Sequence, residues 1–151
     1  MSTIQLRAWI LAAAMMIAPA ASAADVVTDW NQKAGAAVLE AKVYPFVGGR
    51  DMSMVHVAMF DAINSIEGRY SPDKVKVSAP AGSSPEAAGV AAAHVVLVRL
   101  FPEQKASFDA SYAASLAQIP DGSGKAAGIG VGEGVAGKIL ALRAAIKMES
   151  A

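Results

Sequence analysis

His56 and His94 are the only two histidines in the chain, so any histidine-based mechanism must use one of them. Asp61 lies near His56 in sequence, but five residues of helix carry it about 140° around the cylinder. A His–Asp dyad within that helix is excluded. His56, His94 and Asp61 become a metal site only if the fold brings them together with carboxylates from other helices. Alone, Asp61 is a candidate general acid or base. The alternative reading of each is structural, and for both histidines it is a buried role. His94 has Val90, Ala91, Leu97 and Val98 at its three- and four-residue positions, a setting that predicts a neutral imidazole bonded to a carbonyl. Asp61 with Asn64 and Ser65 predicts side-chain bonds to adjacent helices in a satisfied polar network.

Other motifs give less. Gly132 to Gly137 reads GEGVAG and matches the GxGxxG pattern, but that fingerprint works only after a strand that opens into a helix. No such strand is predicted before it, so these glycines are read as a surface for close helix packing. Nucleophile motifs of the GxSxG kind, HExxH and the P-loop are absent. With no cysteine in the chain, thiol redox chemistry and cysteine-ligated zinc are excluded as well.

The elements that must position these residues follow from periodicity. Residues 1–23 are set aside first: Arg7 precedes the apolar run AWILAAAMMIA, and Ala21, Ser22 and Ala23 suit signal peptidase. A cleaved export signal is predicted, with cuts after Ala23 or Ala24 and a periplasmic or secreted product. The run is too short for a stable membrane anchor, which needs roughly 20 apolar residues. The remainder, 24–151, is long enough for one domain. Basic and acidic side chains number 13 each; removal of Arg7 with the signal makes the mature charge −1. No basic footprint for nucleic acid exists.

Within that domain the periodicity predicts an all-α bundle of about five helices. The first, from about Asp25 to Lys42, places Trp30, Ala34, Ala37, Val38 and Ala41 on one face, with Trp30 as a core residue. VYPFVGGR is read as a linker because of Pro45, Gly48 and Gly49. Asp51 to Tyr70 is read as the central helix, with Met52, Val55, Met59, Ile63 and Ile66 inward, Asp51 or Ser53 as cap and Gly68 as stop. Residues 71–84 form a surface loop. A Ser83–Glu86 capping box opens the third helix at Pro85, which ends before Pro102. A fourth helix spans about Glu103 to Gln118, and a fifth about Lys125 to Lys147.

MVHVAMFDAINSIEGRY, followed by SPEAAGVAAAHVVLVRLFP, SYAASLAQIPDG and KAAGIGVGEG, resembles the N-terminal helical portion of bacterial secreted proteins of the vanadium-dependent haloperoxidase type. These belong to the superfamily that includes the type 2 phosphatidic acid phosphatases (PAP2). The resemblance implies a helical scaffold that packs against a C-terminal catalytic half. In that half an oxyanion is expected to be held by a Lys and Arg pair followed by Pro, a Ser-Gly-His segment, and an Arg with a distal His. None of these occurs here: Lys42 and Arg50 are eight apart, Arg50 precedes Asp51, and no histidine follows His94.

The resemblance therefore implies a truncated or split product, inactive alone, with no catalytic and no cofactor-binding residue to carry over. Vanadate or phosphate is expected only in full-length relatives. The expected partner is the missing half or another copy of the chain, through apolar area left open on the second, third and fifth helices. Two alternatives stand beside this: a periplasmic binding or interaction module, and a small metal-dependent enzyme centred on His56, His94 and Asp61.

Overall fold

A helix apolar on every side has to be surrounded, and PEAAGVAAAHVVLVRL is such a helix. In the computed structural model, which describes residues 23–149, five α-helices and one short 3-10 turn are present and no strand occurs among the described residues. They are α1 (Ala23–Glu40), α2 (Pro45–Glu67), α3 (Pro85–Leu100), the 3-10 turn Pro102–Gln104, α4 (Lys105–Ala117) and α5 (Ser123–Glu149). The predicted all-α bundle is thus what forms. The predicted export signal lies outside the described residues, apart from Ala23.

The centre is α3, not α2 as the sequence suggests. It touches each of the other four α-helices, and Arg99 is its one exposed residue. Its alanines make a weak apolar stripe in sequence, yet they allow neighbours to approach until Ala87, Ala88, Ala91, Ala92 and Ala93 are all buried. α2 is the second layer, packed on α1, α3 and α5. Its buried positions Gly48, Asp51, Val55, Ala58, Met59 and Ala62 follow helical spacing. Around them sit Trp30 and Ala34 of α1, Phe101 and Phe108 flanking the α3–α4 corner, and Val131, Val135 and Ile139 of α5.

Several boundaries differ from the sequence reading. The linker VYPFVGGR is mostly helix, because Pro45 occupies the first turn, where its missing amide costs nothing. Asp51 therefore sits inside α2 and caps nothing. Gly48 faces Val38 where α1 and α2 cross. Ser84, not Ser83, caps α3: its Oγ accepts from the Ala87 N–H at 3.1 Å and donates to Glu86 at 3.0 Å. Ser83 is buried with its hydroxyl on the Pro80 carbonyl. Gly68 does stop α2, with φ 65° and its N–H on Asn64 O.

The glycines of α5 have the role expected of them. Gly128 and Gly132 face α3 so closely that a Cβ would overlap the carbonyl oxygens of Ser84 and Ala88, and one on Gly124 would strike Gly82 O. Val131, Val135, Ala136 and Ile139 continue that buried face. Gly132→Ala is expected to destabilise the fold by about 1–3 kcal/mol, since backbone cannot move aside as a flexible side chain can. Gly130 is exposed with open space around it, so Gly130→Ala is expected to stabilise by up to about 1 kcal/mol. Urea denaturation followed by circular dichroism measures both; equal effects at the two sites would contradict this packing.

Candidate functional site

Asp61, Asn64 and Ser65 occupy one face near the end of α2, and all three turn toward the loop that follows. Asp61 Oδ1 accepts from the Asp73 N–H at 2.7 Å, and Oδ2 accepts from Lys74 at 2.9 Å and Val75 at 2.7 Å. Asn64 binds both backbone groups of Tyr70, donating to its carbonyl at 2.7 Å and accepting its N–H at 2.9 Å. Ser65 Oγ accepts from Val77 at 3.2 Å. The polar network is satisfied, but its partners are loop amides rather than adjacent helices. Both oxygens of the fully buried Asp61 are taken up, so its geometry serves a clamp on residues 70–77.

His94 is bonded to a carboxylate, where its apolar neighbours predict a carbonyl. Its Nε2 lies 2.8 Å from Asp109 Oδ1, and its ring stacks on Tyr112 with centroids 4.3 Å apart. Trp30 meets the same ring edge-on and donates its indole N–H to Ser115 Oγ at 3.2 Å. The difference arises because Pro102 turns the chain back, placing α4 beside α3; neighbours within α3 alone do not reveal this. Lys105 bonds the other oxygen of Asp109. Lys105 foremost, then His94, holds the Asp109 carboxyl below its ordinary range. Burial, with Glu133 adding a smaller push, raises the Tyr112 phenol.

His56 is exposed, where a buried structural role is predicted, because it faces the open side of α2 and pairs there with Asn31 of α1 at 2.6 Å. An amide oxygen only accepts, so His56 Nε2 carries the proton. The three candidate residues thus have three separate sets of partners: Asn31, Asp109 and the loop amides. Among the described residues no three His, Asp or Glu side chains group so as to hold a metal ion. GEGVAG lies inside α5 with Gly132 against α3.

One polar pair escaped the sequence reading. Asp51, 5% exposed, accepts from Arg143 Nη1 at 3.0 Å, joining α2 to α5 across 92 positions. Its one local signal is a carboxylate at an inward position of α2, visible only once the helix is started at Pro45. Two concavities among the described residues bear on the site. One, of about 340 Å³, runs between α1 and α2 beside His56. The other, of about 530 Å³, lies where α3 and α5 begin, and its Asp121 and Lys125 are paired at 2.8 Å.

Asp61→Ala would strip three buried or half-buried amides of their acceptor. It is expected to cost about 2–5 kcal/mol and to speed hydrogen exchange at Asp73, Lys74 and Val75 ahead of the helices. Uniform exchange behaviour would argue against a clamp. For Asp109 the folded pKa is lowered, so its stabilising contribution is complete above the unfolded value of about 4 and is lost as pH falls through the folded value. Asp109→Asn should lower the melting temperature at neutral pH and flatten its decline below about pH 4; an unchanged acid profile would contradict the pairing. No family model, curated protein or solved structure matches the chain, so its functional reading rests on the side chains described above.

Proposed function

We propose that this chain is an exported helical scaffold, equivalent to the N-terminal half of a haloperoxidase- or PAP2-like protein, that works by packing against a second helical unit. The observation that carries the reading is a division of labour among side chains. Asp61, His94 and Asp51, the groups best placed for chemistry, are each engaged in holding the chain to itself. Meanwhile Leu39, Tyr44 and Phe46 stand 79%, 79% and 84% exposed where α1 passes into α2. Phe60 and Tyr70 at the far end of α2 and Leu142 on α5 add further open apolar surface. The exposed large apolar side chains lie on α1, α2 and α5 or beside them, and none lies on α3, which corrects the expectation that the third helix would also be open.

An oxyanion as highly charged as vanadate needs several convergent cationic donors. The sequence offers no Lys-Arg-Pro or Ser-Gly-His segment to supply them. Among the described residues no helix is long and apolar enough to cross a membrane. The metal-enzyme alternative has the least support, because its three residues keep separate company. The binding-module alternative is favoured by one specific feature, the groove beside His56.

The purified chain is expected to bind no vanadate in a vanadium NMR titration, to oxidise no bromide and to leave p-nitrophenyl phosphate intact. Sedimentation should show self-association that Phe46→Glu reduces. Turnover of either substrate, or a stable monomer in which Phe46→Glu changes nothing, would overturn the proposal.

A further inference from the structure

Independently of the scaffold reading, α4 is the helix held least by burial. Phe108 is its one buried residue of thirteen, where α3 buries nine of sixteen. Tyr112 and Leu116 are half-buried against the core, and the alanines of α4 face outward. A segment anchored by so little apolar area lies at the low end of local stability. Released from its neighbours, a helix of thirteen residues is also too short to persist in water. Much of what holds α4 down is polar: Asp109 on His94 at 2.8 Å and Ser115 accepting from the Trp30 indole at 3.2 Å.

The chain on either side of α4 is pinned separately. Before it, Phe101 is buried and Gln104 donates to the Ala37 carbonyl of α1 at 3.0 Å. After it, Lys125 of α5 bonds the Ile119 carbonyl at 3.2 Å and Asp121 at 2.8 Å. Opening of α4 is therefore an unwinding between fixed ends, and it leaves in place the contact of α5 with α3 through Gly128 and Gly132. We propose that α4 is a strap that unlatches on its own while α1, α2, α3 and α5 stay packed, uncovering the His94 imidazole and the Trp30 indole. Closed, the strap stacks Tyr112 on His94 with centroids 4.3 Å apart and leaves Trp30 with no exposure. Open, it presents an imidazole and an aromatic face that the closed bundle hides.

The test is native-state hydrogen exchange of the full chain, followed by NMR under conditions where reclosing outruns exchange. Amides from Phe108 to Leu116 should exchange together and, after correction for intrinsic rates, at least about a hundredfold faster than those of Ala91 to Val96 in α3 and Val131 to Ile139 in α5. Asp109→Ala should speed the α4 amides about fivefold. Val135→Ala weakens the core that the open form keeps, so it should speed the α3 and α5 amides about tenfold or more and leave the α4 amides within about twofold of their starting rates. Ile139→Val makes the same comparison more gently if Val135→Ala does not fold. Protection of α4 equal to that of α3, a core variant that speeds α4 as much as α3 and α5, or α4 amides indifferent to Asp109→Ala would each overturn the proposal.

Discussion

The approach of α5 to α3 at backbone distance is the constraint on which the rest depends. Gly128 and Gly132 bring α5 against the carbonyl oxygens at the start of α3, and Gly124 lies against Gly82 just before it, where the Ser84 N–H reaches across to the Gly124 carbonyl at 2.9 Å. With α5 that close, α3 is covered on one side by backbone, and its alanines suffice to fill the remaining space. Larger residues on α3 would push the outer helices apart. Small residues on both partners therefore set the radius of the bundle, and the large ones, Trp30, Met59, Leu97 and Phe108, fill the spaces at its margins.

Such a core is thin in apolar area per residue, so the long connection after α2 cannot be left to find its own place. Residues 69–84 contain one buried large apolar side chain, Val75, which alone contributes about 1.5–3 kcal/mol against the entropy of ordering more than a dozen residues. Asp61, Asn64 and Ser65 make up the difference by accepting the loop amides as a helix would. This explains why a residue triplet with the composition of an active site lies in a helix that has none of the surrounding chemistry.

Much of this was legible in sequence. Period together with Pro and Gly breaks located all five helices: Val55 and Met59, and Trp30 and Ala34, recur at steps that only a helix brings to one face. Gly68, Pro85 and Pro102 marked ends by mechanisms local to the backbone. Centrality was misread because hydrophobic pattern weighs Met and Ile above Ala, whereas burial in this bundle rewards closeness. The start of α2 was misread because Gly48 and Gly49 were taken as a break, whereas both lie within the helix and Gly48 is a contact with α1. The side-chain partners were not legible: Asp109 and Arg143 are fixed by how α4 and α5 fold back, and nothing around His94 or Asp51 encodes that. His56 and Asn31 meet only because α1 and α2 run antiparallel.

The Asp51–Arg143 pair fits the same logic. A smooth face of glycine and alanine allows close approach but resists sliding poorly, since neighbouring registers present nearly the same surface. A buried ion pair adds little net stability, because desolvating both charges offsets their attraction. It does discriminate: shift α5 by one turn along α3, about 5.4 Å, and Asp51 loses Arg143 and keeps only the more distant, exposed Arg50 at 4.0 Å. At that point much of the desolvation penalty of the Asp51 carboxylate goes without its main partner, and it falls on the wrong register alone. The glycines near the start of α5 and the arginine near its far end are therefore complementary, one setting how near the helix comes and the other where along its length it stops.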